Sequence, residues 1–293
     1  VSGVNAVEGV ASVEGREVGC RLYGPETGSP VVMHNGTPGS SMISPHHVAA
    51  AERAGVRLLV IDRPGYGAST RQPGRLVIDV VANVSKIVDD LGWDRFAVWG
   101  GSGGAPHALA CAAALPQRVT RCASVVGPAP FDAAGLDWFA GMTPANVEEF
   151  RLAQLGDSAY RPLVERLGAE AVAAATAGDI QITEEYQLAE SDVAALKART
   201  TEDGYLARVQ AAFRDGADGW IDDAIAMVQP WGFDPSAITV PVSVRYGPDD
   251  VLVPSSHGEY LARVIPNAQQ ALLSGGHILT DADLDSIYGW LTS

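Results

Sequence analysis

Apolar positions along this chain follow two rhythms that take turns. Residues 7–15 and 16–24 read as two strands joined as a hairpin, and residues 30–35 and 56–63 are short, nearly unbroken apolar runs that end in turns. Between them, residues 43–55 carry a helical pattern that starts after Pro45. Residues 75–92 place Leu76, Val80, Val84, Ile87, Val88 and Leu91 so that they share one helical face. The alternation continues with a strand at 95–100, a small-residue helix at 103–116 and a strand at 121–127. Apolar strands separated by amphipathic helices predict an α/β fold whose mostly parallel sheet is covered on both faces. A site in such a fold belongs at the carboxyl ends of the strands.

From residue 131 to 235 the strand signal stops, and helical segments run over 146–156, 160–168, 169–178, 190–200 and 201–228. Strand and helix then return at 239–247, 255–265, 269–275 and 279–293. The chain therefore divides into a first part of the core (1–130), a helical lid over the strand ends (131–235) and a closing part of the core (236–293). Aromatic residues and methionines in the lid give it apolar surface. Trp138, Phe139 and Met142 are the ones expected to line a pocket for a small hydrophobic substrate, while most of the others pack lid helices together.

The strongest local signal for chemistry is Gly100-Gly101-Ser102-Gly103-Gly104, placed where a strand ends and a helix begins. Small neighbours let such a turn take strained angles and expose the serine hydroxyl, and the helix start behind it offers amides to developing negative charge. No lysine follows the glycines, so the pattern fits no common phosphate loop. Serine needs a base, and a neutral imidazole serves near pH 7. Of the six histidines, His277 follows the last strand, where a loop can hold it above the sheet. His107 lies down the helix from Ser102, His257 opens a surface-facing helix, His34 sits near the loop after the third strand, and His46 and His47 start a helix. The imidazole in turn needs a carboxylate to fix its tautomer. Asp249 and Asp250 both emerge from the strand at 239–247, and local chemistry does not separate them. Two amides must hold an oxyanion. Gly103 supplies one and the loop Asn35-Gly36-Thr37-Pro38-Gly39 the other, through Thr37, because Pro38 has no N–H.

These residues, over nearly the whole chain, resemble the α/β-hydrolase fold superfamily, in the serine-nucleophile branch that holds bacterial carboxylesterases and proline iminopeptidases. The resemblance implies an eight-stranded, mostly parallel sheet flanked by helices, with an inserted helical lid. Asn35-Gly36-Thr37-Pro38 stands at the family's histidine-glycine-any-proline oxyanion motif, with Asn35 in place of the histidine. The stretch from Asp62 to Ser69 matches a family loop that is usually structural, so neither Asp62 nor Arg63 is assigned to catalysis. Gly247, Asp250, Val253 and Pro254 match the acid motif and select Asp250 over Asp249, and Gly276-His277 resembles the histidine motif. Haloalkane dehalogenases and epoxide hydrolases of this fold use aspartate where Ser102 stands, so the resemblance implies acyl transfer on a small carboxylic ester or lactone. The alternatives are a proline iminopeptidase-like aminopeptidase, which would use lid acids such as Glu148, Glu149, Glu184 or Glu185 to hold a free amine, a carbon-carbon bond hydrolase, a thioesterase and a non-catalytic binding protein. The iminopeptidases usually carry tryptophan at the position of Gly103.

Composition narrows the rest. Twenty Lys and Arg stand against 35 Asp and Glu, a net charge of −15, with no basic stripe for a nucleic acid backbone and a bias against polyanionic substrates. Cys20, Cys111 and Cys122 are too few and too dispersed for a disulfide scaffold or metal motif, and the His46-His47 pair lacks a metal site's spacing. No cofactor or metal is expected. No apolar run approaches a membrane span and the start lacks a signal-peptide pattern, so the expected location is cytoplasmic, as a monomer or a homodimer.

Overall fold

The computed structural model describes residues 6–179 and 186–293. Its centre is an eight-stranded sheet in the order β1-β2-β4-β3-β5-β6-β7-β8. β1 (Val7–Val13) and β2 (Arg16–Tyr23) form the antiparallel hairpin, and β2 also runs antiparallel to β4 (Val56–Ile61). From β4 onward the neighbours are parallel: β3 (Ser29–His34), β5 (Phe96–Gly101), β6 (Val119–Val125), β7 (Val242–Tyr246) and β8 (Ala268–Leu272). The unbroken apolar runs follow from burial on both faces. Val32, Leu59 and Val98 enter one core with α2 (Val80–Asp90), α3 (Ala105–Ala114) and α9 (Ser255–Val264). The alternate residues Val31, Met33, Leu58, Val60, Ala97 and Trp99 enter the opposite core with α1 (Pro45–Arg53) and α10 (Asp281–Leu291). This is the α/β-hydrolase core with an inserted helical lid.

The insertion between β6 and β7 holds α4 (Pro144–Leu155), α5 (Asp157–Thr176), α6 (Glu190–Thr200), α7 (Tyr205–Ala212) and α8 (Asp218–Met227). Its own small core joins Ala153, Tyr160, Val164, Ile221 and Ala224. Two details differ from the sequence reading. Residues 160–168 and 169–178 form one helix, because Gly168 stays helical where α7 comes close: a side chain there would meet the Phe213 ring at 2.8 Å. Residues 201–228 form two helices, since α7 packs on α5 while α8 turns back to reach α4, α5 and the start of α3's turn. No helix among the described residues is long and apolar enough to cross a membrane.

Candidate active site

Three strand ends deliver the three side chains expected to act together. β5 stops at Gly101 and the chain turns at Ser102, whose φ of 52° lies in the left-handed region that side chains avoid. That turn lifts the hydroxyl off the sheet and starts the helical run continued by α3. His277 lies past β8, and its Nε2 is 2.9 Å from Ser102 Oγ. Its Nδ1 is 2.7 Å from Oδ2 of Asp250, beyond β7. Asp250 is fixed in turn by the N–H groups of Leu252 and Val253, which donate to its Oδ1 at 2.9 and 2.8 Å. Asp249, the neighbour that local chemistry could not set aside, is exposed. Burial depresses the His277 pKa, but the charge of Asp250 and its hydrogen bond more than reverse this, so the net shift is upward.

The loop after β3 faces this turn. A side chain at position 103 would meet Cβ of Thr37 at 2.9 Å, so Gly103 and Thr37 are in close approach and no tryptophan fits there. The Thr37 N–H has no acceptor among the described residues, and Gly103 lies in the first turn of a helical run, where amides lack intrahelical partners. Asn35 ties the loop from within: its Oδ1 accepts from Gly36 N at 2.9 Å and its Nδ2 donates to Ser40 O at 3.1 Å.

Arg63 supports the loop from below, donating to the carbonyls of Asn35 and Gly36 and to Thr37 Oγ1. Its charge is met by Asp223 on lid helix α8, at 2.6 Å, and Asp223 also accepts from Thr37 Oγ1 at 2.6 Å and from Arg75 at 2.5 Å. All three charged groups are buried. Burial alone would raise the Asp223 pKa, yet Arg63 and Arg75 hold it well below the usual carboxylate range.

Lid and core enclose a cavity of about 570 Å³ that opens on Ser102 and His277. Its apolar wall includes Phe150, Phe213, Trp220 and Met227, and its polar wall includes Glu149, Tyr160, Arg199 and Arg208. Trp138, Phe139 and Met142 do not line it. They lie in the turns before α4, which anchor the lid's base: the Trp138 indole donates to Ala129 O at 2.9 Å and packs edge-on against Phe150 and His257. Phe139 packs edge-on against Phe131 and Trp138, and Met142 faces a separate shallow depression with Val147 and Arg151. His257, expected at the surface, is fully buried beneath Trp138, accepting from Ala129 N at 3.1 Å while its Nε2 meets Trp138 O at 3.0 Å. His34 and His107 are likewise buried, below the turn, and His47 stacks on Trp99 at the cavity wall. Glu184 and Glu185 lie outside the described residues. Among the described residues, no three His, Cys, Asp or Glu side chains converge as a metal site.

Two lid carboxylates in the site were not singled out from sequence. Asp223 shares a helical face with Gly219, Ala226 and Met227, all buried, so an acid on an apolar face was the available signal. Asp192 in the first turn of α6 accepts from the N–H groups of His277 and Ile278, each at 2.9 Å, and thereby fixes the histidine loop to the lid.

Comparison with known proteins places this geometry in context. The family described as alpha/beta hydrolase fold matches residues 29–281. Epoxide hydrolase B of Mycobacterium tuberculosis is 34% identical over 115 residues, 38% of this chain and 32% of that protein, so the chain spans about a third of that relative's length. Among solved structures, the enol-lactonase from Burkholderia xenovorans LB400 is similar with a TM-score of 0.68 at 20% identity, over 97% of this chain and 100% of that one. A thermophilic esterase from Thermogutta terrifontis is similar with a TM-score of 0.67 at 20% identity, over 97% of this chain and 98% of that one.

Proposed function

This chain belongs to the alpha/beta hydrolase fold family, and from that premise we propose that it is a serine hydrolase cleaving a small carboxylic ester or lactone through an acyl-enzyme. The observation that carries the reading is the unbroken relay from Ser102 through His277 to Asp250, opening on a largely apolar cavity. Ser102 Oγ attacks the substrate carbonyl while His277 Nε2 takes its proton, and Asp250 holds the Nδ1–H and offsets the imidazolium charge. The amides of Gly103 and Thr37 receive the oxyanion, and the Arg63–Asp223 pair keeps the Thr37 loop in place. Collapse of the tetrahedral intermediate breaks the carbonyl–oxygen bond, and His277 returns the proton to the departing alcohol. Water, deprotonated by His277, then releases the acid. The likeness to an enol-lactonase and an esterase is compatible with this substrate class, although at such identity it carries the fold alone. The epoxide hydrolase match does not redirect it, because the hydrolases of that kind resembled here use an aspartate where Ser102 stands.

An aminopeptidase reading would rest on Glu149, a buried carboxylate in the cavity wall. Its oxygens already accept the hydroxyls of Tyr160 and Tyr186, and burial raises its pKa, so it offers a substrate ammonium a weak anion. A panel of aryl and short-chain esters, lactones, a thioester, a vinylogous diketone and an N-terminal-proline arylamide decides between them, with Ser102→Ala as control. Ester or lactone turnover lost in that variant is the expected result; turnover confined to the arylamide would replace the proposal with the aminopeptidase.

The upward shift of His277 also sets a pH profile. The base works only when neutral, so kcat/KM rises with pH through a limb above the ordinary histidine value of about 6.5. Asp250→Asn removes the group that raises the pKa, so the limb moves to lower pH while the rate falls by roughly 10⁴-fold. Initial rates between pH 5 and 9 check both, and a limb unmoved in the variant would disconnect Asp250 from the base.

A further inference from the structure

Helix α6 joins the histidine loop to the cavity. At its start Asp192 binds the backbone of His277 and Ile278, and seven residues later, two turns or about 10 Å along the same face, Arg199 enters the cavity wall beside Leu196. The helix therefore fixes the backbone of Arg199 relative to the loop that carries His277.

Arg199 has no acid of its own. Arg63, Arg71 and Arg75 each sit on an aspartate, whereas the Arg199 guanidinium makes no hydrogen bond or ion pair among the described residues. The nearest candidate, Glu202, is already engaged by His46 Nδ1 at 2.9 Å and by Arg208 Nη2 at 2.7 Å. Glu149 is held by its two tyrosine hydroxyls. Burial pushes the Arg199 pKa down; Glu202 and Asp192 counter this in part, and the charge of Arg208 adds to the fall. Arginine stays protonated even so, and its planar fork suits a carboxylate in a two-point contact. Arg208 and His47 line the same part of the molecule and add no negative charge.

We propose that Arg199 is the specificity-determining residue for a carboxylate on the substrate, which makes the preferred substrate a small ester or lactone carrying one negative charge away from the scissile bond. The net charge of −15 does not oppose this, because charges beyond about 8 Å are largely screened at physiological salt, while Arg199 lines the cavity itself. The inference rests on the serine-hydrolase reading for its chemistry, but the anion site itself is independent of turnover.

Two measurements keep those apart. The first compares 4-nitrophenyl hemi-esters of glutaric and adipic acid with the neutral 4-nitrophenyl pentanoate and hexanoate. The hemi-esters are expected to win at least tenfold in kcat/KM, through KM, and Arg199→Met is expected to bring the ratio close to one, with Arg199→Lys in between. The second titrates adipate into Ser102→Ala protein by calorimetry, where adding Arg199→Met is expected to weaken binding at least tenfold. Thermal melts confirm that the variants are folded. A hemi-ester ratio that is the same with and without Arg199, or adipate binding that is equal or absent in both Ser102→Ala proteins, overturns the anion site. Arg199-dependent adipate binding with no Ser102-dependent ester turnover would keep the site and discard the esterase reading.

Discussion

Ser102→Ala is expected to lower kcat/KM for an activated ester by on the order of 10⁵-fold, leaving only the acceleration that binding and the oxyanion donors give to attack by water. The size follows from what the hydroxyl does. In the proposed mechanism it is the atom that forms the acyl-enzyme, and His277 Nε2, 2.9 Å away, has no other nucleophile to activate in the first step. The methyl side chain of alanine fits the left-handed turn no worse than serine does, so the fold should be unaffected. His277→Ala should cost nearly as much, and the double variant little more than either alone, because the two groups act as a unit. Initial rates on 4-nitrophenyl acetate, together with loss of covalent labelling by a fluorophosphonate, test this. Turnover retained within tenfold of the wild type would place the nucleophile elsewhere.

The candidate triad was legible in the sequence because each member follows a strand. A strand that ends in Gly101, then Ser102, then a helix needs no knowledge of distant residues, and His277 follows β8 and the Asp249-Asp250 pair follows β7 in the same way, with the family's acid motif choosing between the two aspartates. Sheet architecture was legible for a related reason: strands buried on both faces leave unbroken apolar runs. The lid was legible as helices but not as a surface. Which side of a lid helix faces the cavity depends on how the insertion docks, and no local pattern encodes that. Trp138 is aromatic and near the insertion's start, yet docking places it on His257 and not in the cavity. Tyr160, Tyr186, Phe213, Trp220 and Met227, lid residues expected mainly to pack helices together, reach the cavity wall instead. Arg63 shows the limit from the other side. It was set aside as structural, and it is structural, but what it supports is the loop that faces the nucleophile.

Asp223→Ala is expected to be the most destabilising single change in the site. The substitution leaves Arg63 and Arg75 buried with their common counter-charge gone, and an uncompensated buried charge costs about 3–5 kcal/mol. In a chain of this size, that corresponds to a fall in Tm of roughly 6–20 °C. The same change removes the acceptor for Thr37 Oγ1, so the loop proposed to present the second oxyanion amide loses its tie to the lid. At a temperature where the variant remains folded, kcat should therefore drop by roughly 10²-fold, the cost of misplacing one oxyanion donor, with KM little changed. Asp223→Asn keeps an acceptor for Thr37 but not the charge, so it should recover more of kcat than of Tm. Calorimetric melts and steady-state rates on both variants separate the two roles. Equal recovery of both by asparagine would mean that the charge of Asp223 matters no more than its hydrogen bonds, and an unchanged Tm in Asp223→Ala would mean that Arg63 and Arg75 do not depend on it.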